Sequence, residues 1–127
     1  MIAIQSAIYS ALGQYAGVSA LVGTRIYPDV ADQDCARPFI VWMELETEQM
    51  NSLAGSVESS GLTNYLIEIT SWAVSRTASR ELDAQVRLAM IAATSFKSLL
   101  SNAQTLGQEP DTKLFGYQSD FSVWLKT

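Results

Sequence analysis

Histidine is absent from this chain of 127 residues, and cysteine occurs once, at Cys35. Histidine is the commonest general base and a common metal ligand in proteins, so its absence excludes every Ser–His or Cys–His nucleophile. A single cysteine cannot form an internal disulfide, which is typical of a protein that folds in a reducing compartment. The composition argues against catalysis more strongly than it favours any one activity.

Long apolar runs and basic clusters are also missing. No apolar stretch approaches the ~20 residues of a membrane span, and the N-terminus lacks the basic flank of a secretory signal, so we expect no membrane association. Eight Lys and Arg stand against thirteen Asp and Glu, and the basic residues are scattered singly along the sequence. Because gripping a phosphate backbone needs a clustered basic face, we expect no specific nucleic-acid binding.

No group of residues points to a metal or cofactor. Asp29, Asp32 and Asp34 share one polar segment, but the spacing does not match a calcium loop, and a structural loop is the favoured interpretation. Cys35 lies near Arg37 without a second cysteine, which favours an inert thiol. Glycine patterns that bind nucleotides are lacking. The sequence therefore predicts neither cofactor nor metal, and no catalytic residues.

Apolar residues are present in the amount and pattern of one globular domain, which we place over residues 1–127. Two segments have the spacing of amphipathic helices. The first stripe consists of Ile4, Ala7, Ile8, Ala11, Leu12 and Tyr15, and the second of Leu82, Val86, Ala89, Met90, Ala93 and Phe96. Ser19–Val22 is predicted as a short helix, and Ser75 or Thr77 as the cap of the last one.

Alternating segments predict strands at Phe39–Thr47, Asn64–Ala73 and Leu114–Leu125, with a brief one at Arg25–Tyr27. The first two form a long antiparallel hairpin, and Asn102–Thr112 is predicted as a loop. No βαβ crossover repeats, so the fold class is α+β. We expect a mainly antiparallel sheet, with one central helix packed on one face and an N-terminal helix.

The hairpin residues divide into two faces by alternation. The apolar set, expected under the central helix, comprises Phe39, Val41, Met43, Leu45, Tyr65, Ile67, Ile69, Phe115, Tyr117, Phe121 and Val123. The opposite parity carries all three tryptophans together with glutamates. Two interpretations stay open, since the first helix could cover the tryptophans or this face could contact another subunit. The candidate partner or oligomer interface is Arg25, Arg37, Trp42, Glu44, Glu46, Glu48, Glu68 and Trp72.

The tip of the hairpin, at about residues 49–63, is rich in Ser, Gly and Asn and is predicted to be mobile. Long loops in compact domains are commonly functional or disordered, so we interpret the tip as a docking loop that becomes ordered on binding. Its candidate residues are Asn51, Ser52, Gly55, Ser56, Glu58 and Gly61. An ordinary flexible loop is the alternative.

Several segments together resemble the small tail completion and tail terminator proteins that join head and tail in bacteriophages. The segments are Gly23-Thr-Arg-Ile-Tyr-Pro28, Ala36-Arg-Pro-Phe-Ile-Val-Trp42, Asn64-Tyr-Leu-Ile-Glu-Ile69 with Trp72-Ala73, Ala78–Met90, and Asp120-Phe-Ser-Val-Trp124. Their order and spacing match over about residues 21–124. The resemblance supplies matched positions and no catalytic residues; these positions are Arg25, Tyr27, Pro28, Arg37, Pro38, Trp42, Tyr65, Trp72 and Trp124.

The resemblance implies a non-enzymatic virion protein of the tail or neck, assembled in the host cytoplasm. Such a subunit would form a homo-hexameric ring, cap the tail tube protein and contact the head–tail connector, while DNA only passes through its channel. A head-completion adaptor or stopper of the neck is one alternative. A small α+β binding or enzyme domain unrelated to phage is another.

Overall fold

A computed structural model describes residues 3–32, 35–50 and 62–126 of the chain. Three helices and five strands lie within these residues. The helices are α1 (Ile4–Gly13), α2 (Ala16–Val22) and α3 (Arg76–Ala92). The strands are β1 (Ile26–Pro28), β2 (Phe39–Met50), β3 (Leu62–Ala73), β4 (Lys97–Gln108) and β5 (Phe115–Lys126).

The five strands form one sheet in the order β1-β2-β3-β5-β4. Only the short β1–β2 pair is parallel, and the other neighbours are antiparallel. The fold class is therefore α+β, as the sequence predicts. No helix in the described part of the chain is long and apolar enough to cross a membrane.

The helices share one side of the sheet, so the protein has two layers and a single core. Buried side chains of α1 and α3 meet the strand residues Ile40, Ile67, Ile69, Phe121 and Val123. The predicted helical stripes supply most of these contacts, because Ala7, Ile8 and Leu12 of α1 and Leu82, Val86, Ala89 and Met90 of α3 are buried. The last members of the predicted stripes, Tyr15, Ala93 and Phe96, lie beyond the ends of the two helices. We call this side the helix face and the other side the open face.

Local signals set the ends of the helices. Ser75 is the N-cap of α3, and its hydroxyl accepts a hydrogen bond from the Ala78 N–H at 3.1 Å, as predicted. The helix α2 begins three residues earlier than the predicted Ser19–Val22 segment and ends at Gly23, whose φ of 58° falls in the region that favours glycine.

Strand β4 corrects the predicted loop at Asn102–Thr112, since residues 97–108 pair with β5 along their length. The strand lies at the sheet edge and most of its side chains are exposed. An edge strand of this kind has no buried face to impose apolar–polar alternation, so the sequence carries no periodic signal for it. Glu109 closes the turn to β5 by accepting hydrogen bonds from the Asp111 and Thr112 N–H groups.

The face assignment of β2 was wrong. Ile40 and Trp42 lie on the helix face, whereas Val41 and Met43 lie on the open face and are half-buried. Both parities of this strand are apolar at its start, so alternation alone could not decide which one enters the core. The same assignment was right for β3 and β5, where Ile67, Ile69, Phe121 and Val123 are core residues.

The cross-strand register places Glu44 and Glu68, two residues of the predicted interface, on opposite faces of the sheet. Glu44 lies opposite Ile67, whereas Glu68 lies between Met43 on one side and Asp120 on the other. An irregularity between Glu44 and Glu46 shifts the alternation of β2. The predicted docking loop, residues 51–61, lies outside the described residues.

Candidate interaction surfaces

The predicted interface residues do not form one surface. Glu68 and Trp72 lie on the open face, while Trp42 is 4% exposed beneath α1. Arg37 is exposed, and Glu44 and Glu46 are exposed on β2. The side chain of Glu48 is not among those that the structure describes. The prediction that all three tryptophans share a face is therefore wrong for Trp42.

Arg25 makes two side-chain hydrogen bonds that hold neighbouring segments of the fold together. Its Nε donates a hydrogen bond to the Pro38 carbonyl oxygen at 2.9 Å, and its Nη2 donates to the Leu21 carbonyl oxygen at 3.2 Å. These bonds tie the end of α2 and the start of β2 to the segment before β1. Loss of this arginine would loosen the short parallel pair before it affected any partner.

The open face carries an apolar strip without a covering layer among the described residues. Tyr27 and Phe39 meet edge to face, with ring centroids 6.3 Å apart. Val41, Met43 and Leu66 continue the strip and are half-buried. Leu99, at the far edge, is 64% exposed. Apolar side chains left half-buried on an uncovered sheet face are typical of a site that binds another protein.

Trp72 lies flat across the next strand on the open face, and Gly116 makes the space for it. The two residues are cross-strand partners. A Cβ atom on Gly116 would lie 2.8–3.1 Å from three carbons of the indole ring. Glycine at this position thus fixes where the aromatic ring sits, which positions a large flat side chain on the uncovered surface.

An acidic pair interrupts the apolar strip. Glu68 and Asp120 face each other across β3 and β5. Burial, and secondarily the Asp120 charge, raises the pKa of Glu68 above its ordinary value. Gln118 donates a hydrogen bond from Nε2 to Oδ1 of Asp120 at 3.2 Å. Like charges placed opposite each other are mildly unfavourable in an isolated sheet.

Three arginines that stand singly in the sequence gather on one face of α3, so the inference that the basic residues form no cluster is wrong. Arg76 lies over the Phe115 ring at 5.9 Å, and Arg80 and Arg87 both lie over the Tyr117 ring at 5.6 Å. The signal was present in the sequence, because spacings of four and seven residues place side chains on the same side of a helix. We call these residues the arginine patch.

A buried carboxylate anchors one end of the arginine patch. Asp83 is 3% exposed and accepts a hydrogen bond from the Ser119 hydroxyl, while its Oδ2 lies 2.8 Å from Nε of Arg87. Burial raises the pKa of Asp83, against the opposing effects of Ser119 and Arg87. The patch keeps a positive balance, because no described carboxylate lies within 4.0 Å of the other two guanidinium groups.

Concave sites are shallow in the part of the chain that the structure describes. One cavity of about 350 Å³ lies between α1 and the end of α3 and is lined by small or uncharged residues. A second, of about 300 Å³, lies between Tyr9, Pro28 and Trp42. Among the described residues, no three His, Cys, Asp or Glu side chains are placed to hold a metal ion.

Comparison with known proteins identifies the family to which the chain belongs. The family model described as Tail completion protein gp17 matches residues 6–126. A chain from the virion of a native gene transfer agent particle has a similar fold, with a TM-score of 0.74 at 17% identity over 98% of this chain and 96% of the other. No curated protein matches. Because the family model spans nearly the whole described fold, the chain belongs to the tail completion protein family of bacteriophages.

Proposed function

We propose that this protein is a ring-forming tail completion subunit that caps the tail tube and joins it to the head connector. Six copies form the ring, and the ring acts without catalysis. Docking on the last layer of the tube buries the tube-end surface and blocks further addition of tube subunits. The virion tail, at its junction with the head, is the location that follows from this role.

The family match over residues 6–126 carries the proposal. The surface supports it as well. The open face carries half-buried apolar side chains and Trp72 without a covering layer among the described residues, and such a face suits protein–protein contact. A net charge of −5 suits a channel through which DNA slides without being held.

A gene-deletion experiment in the parent phage tests this function. Lysates made without the protein should contain full heads and tails that do not join, and some tails should exceed the normal length. Adding the purified chain to such a lysate should restore joined particles in electron micrographs and raise infectivity. An extract that joins heads to tails equally well without the protein would remove the proposed function.

A variant of the open face provides a sharper form of the same test. Glu68→Arg places a positive charge between Met43 and Asp120 on the open face, which we assign to contact with other virion proteins, and it should lower joining while the subunit stays folded. Glu81→Arg places the same charge on the exposed surface of α3 as a matched control. Equal joining by both variants would remove the open face from the docking surface.

A further inference from the structure

Two long strand edges of the sheet are open in the described part of the chain. Strand β1 covers β2 only from Ile40 to Trp42, so residues 43–50 of β2 have no partner on that side. Strand β4 pairs with β5 and forms the opposite edge over residues 97–108. An open strand edge presents a row of unpaired N–H and C=O groups, which is a template for pairing with another chain.

The directions of these edges suit head-to-tail assembly. The four long strands alternate in direction, so β4 runs antiparallel to β2 of the same chain. A copy rotated about a ring axis keeps the orientation of its sheet. Its β2 would therefore meet β4 of the first copy in the antiparallel sense, with both sets of helices on the same side.

At both edges, the backbone N–H and C=O groups of the residues on the helix face point away from the sheet. On β2, the Ile40 N–H donates to the Arg25 carbonyl oxygen at 3.0 Å, and the Trp42 carbonyl oxygen accepts from the Asp29 N–H at 2.7 Å. Helix-facing residues of β2 thus direct their backbone away from β3. In antiparallel pairs, hydrogen-bonded and non-hydrogen-bonded residue pairs alternate along the strands. Followed from β2 through β3 and β5, this alternation leaves the backbone groups of the helix-facing residues of β4 pointing outward too. On β4 these residues are Leu100, Ala103 and Thr105.

Charge distinguishes the two edges. The open part of β2 contains three glutamates, Glu44, Glu46 and Glu48, and no basic residue. β4 contains one charged residue, Lys97, at its start, and the arginine patch lies one strand inward, over the Tyr117 ring that pairs with Thr105. Pairing of β2 with a second β2 would bring glutamates together, whereas pairing with β4 brings Glu44, the one of the three that lies on the helix face, toward the arginines.

We propose that β2 of one copy pairs antiparallel with β4 of its neighbour, residues 43–50 against residues 97–108, and that this pairing joins the subunits of the ring. The inference rests on the proposed function, since it names the contact by which that ring closes. Glu44 of the incoming strand lies on the helix face, the same side as Arg80 of the receiving copy. The Arg80 guanidinium group thereby gains a carboxylate partner, which it lacks among the described residues of its own chain.

Disulfide trapping tests the pairing directly. In a Cys35→Ser background, Thr47→Cys on the β2 edge is combined in turn with Leu100→Cys, Ala103→Cys or Thr105→Cys on the β4 edge. The two edges of one chain are separated by three strand spacings, about 14 Å, which exceeds the span of a disulfide. Every disulfide between the edges must therefore join two chains. The variants are supplied to the phage that lacks the gene, and joined particles are purified, oxidised and run without reductant.

We expect at least one combination to give a ladder of bands at multiples of 13.9 kDa that ends at the hexamer, and the single-cysteine variants to stay monomeric. A dimer from Thr105→Cys alone, without a ladder, would show pairing of β4 with itself and overturn the inference. Joined particles that contain the variants but show no cross-link with any combination would also overturn it, while leaving the tail role in place. Variants missing from joined particles that form without them would refute the proposed function itself.

A charge exchange provides a second readout, which tests the contact between Glu44 and Arg80 of neighbouring copies. Arg80→Glu should reduce the yield of joined particles at least tenfold, and Glu44→Arg should do the same. The combination should recover most of the yield, because the pair is restored with its signs reversed. A double variant no better than the single ones would contradict the contact between these residues. Circular dichroism on each purified variant confirms that the subunit is folded.

Discussion

Replacing Gly116 by alanine tests the packing of the open face. The new methyl group would lie 2.8–3.1 Å from three carbons of the Trp72 ring, closer than carbon atoms approach in folded proteins. Added volume of this kind costs about 1–3 kcal/mol, whereas the reduced freedom of the unfolded chain returns about 0.4–1 kcal/mol. The free energy of unfolding should therefore fall by about 1–2 kcal/mol, measured by urea denaturation followed by far-ultraviolet circular dichroism.

The chain contains a matched control for this substitution. Gly107 is also a strand glycine, and a Cβ atom there would meet nothing within 4 Å, so Gly107→Ala should raise the free energy of unfolding by about 0.4–1 kcal/mol. In a Trp72→Ala background the Gly116→Ala substitution should lose its penalty, because the ring that it displaces is gone. A Gly116→Ala variant as stable as the Gly107→Ala variant, or a penalty that persists without the indole ring, would refute this packing of Trp72 against Gly116.

Three further predictions concern charge and the hairpin tip. Asp83→Asn keeps an acceptor for the Ser119 hydroxyl and removes a buried charge. Burial raises the pKa of Asp83 in the folded protein, so the folded state takes up a proton more readily than the unfolded state does. The wild type should therefore gain stability relative to this variant as the pH falls from neutral through that raised pKa. A stability difference that stays flat with pH would contradict this. Glu68→Gln should raise the free energy of unfolding by about 0.2–1 kcal/mol at pH 7, with a gain that shrinks on acidification, whereas the exposed Glu81→Gln should not. Deleting residues 52–60 should leave the thermal transition in place and abolish joining of heads to tails in electron micrographs; normal joining would remove the docking role of this loop.

Helices and the two hairpin strands could be predicted because each has one buried side. In α1 the buried residues Ala7, Ile8 and Leu12 fall on the predicted stripe, and Ser75 caps α3 with its own hydroxyl. These are local patterns, in which spacing along the chain determines which side chains meet. Strand β4 lacks such a pattern, since an edge strand with exposed side chains is defined by its pairing with β5 alone.

The surfaces proved harder to predict than the core. Trp42 and Trp72 both have even numbers, yet they lie on opposite faces of the sheet. In the observed register, even-numbered residues at the start of β2 pair with odd-numbered residues of β3, as Trp42 does with Ile69. The arginine patch could have been found from the helical spacing of its members. Its aromatic support could not, since Tyr117 reaches it only through the pairing of distant strands. Site residues that depend on register are fixed by tertiary structure.

Electron cryomicroscopy of intact virions would show which protein forms the head–tail junction. We expect a sixfold ring of this chain between the last tube layer and the connector, with β2 of each copy beside β4 of the next. A junction whose density is filled by other proteins, with this chain absent from the particle, would contradict it.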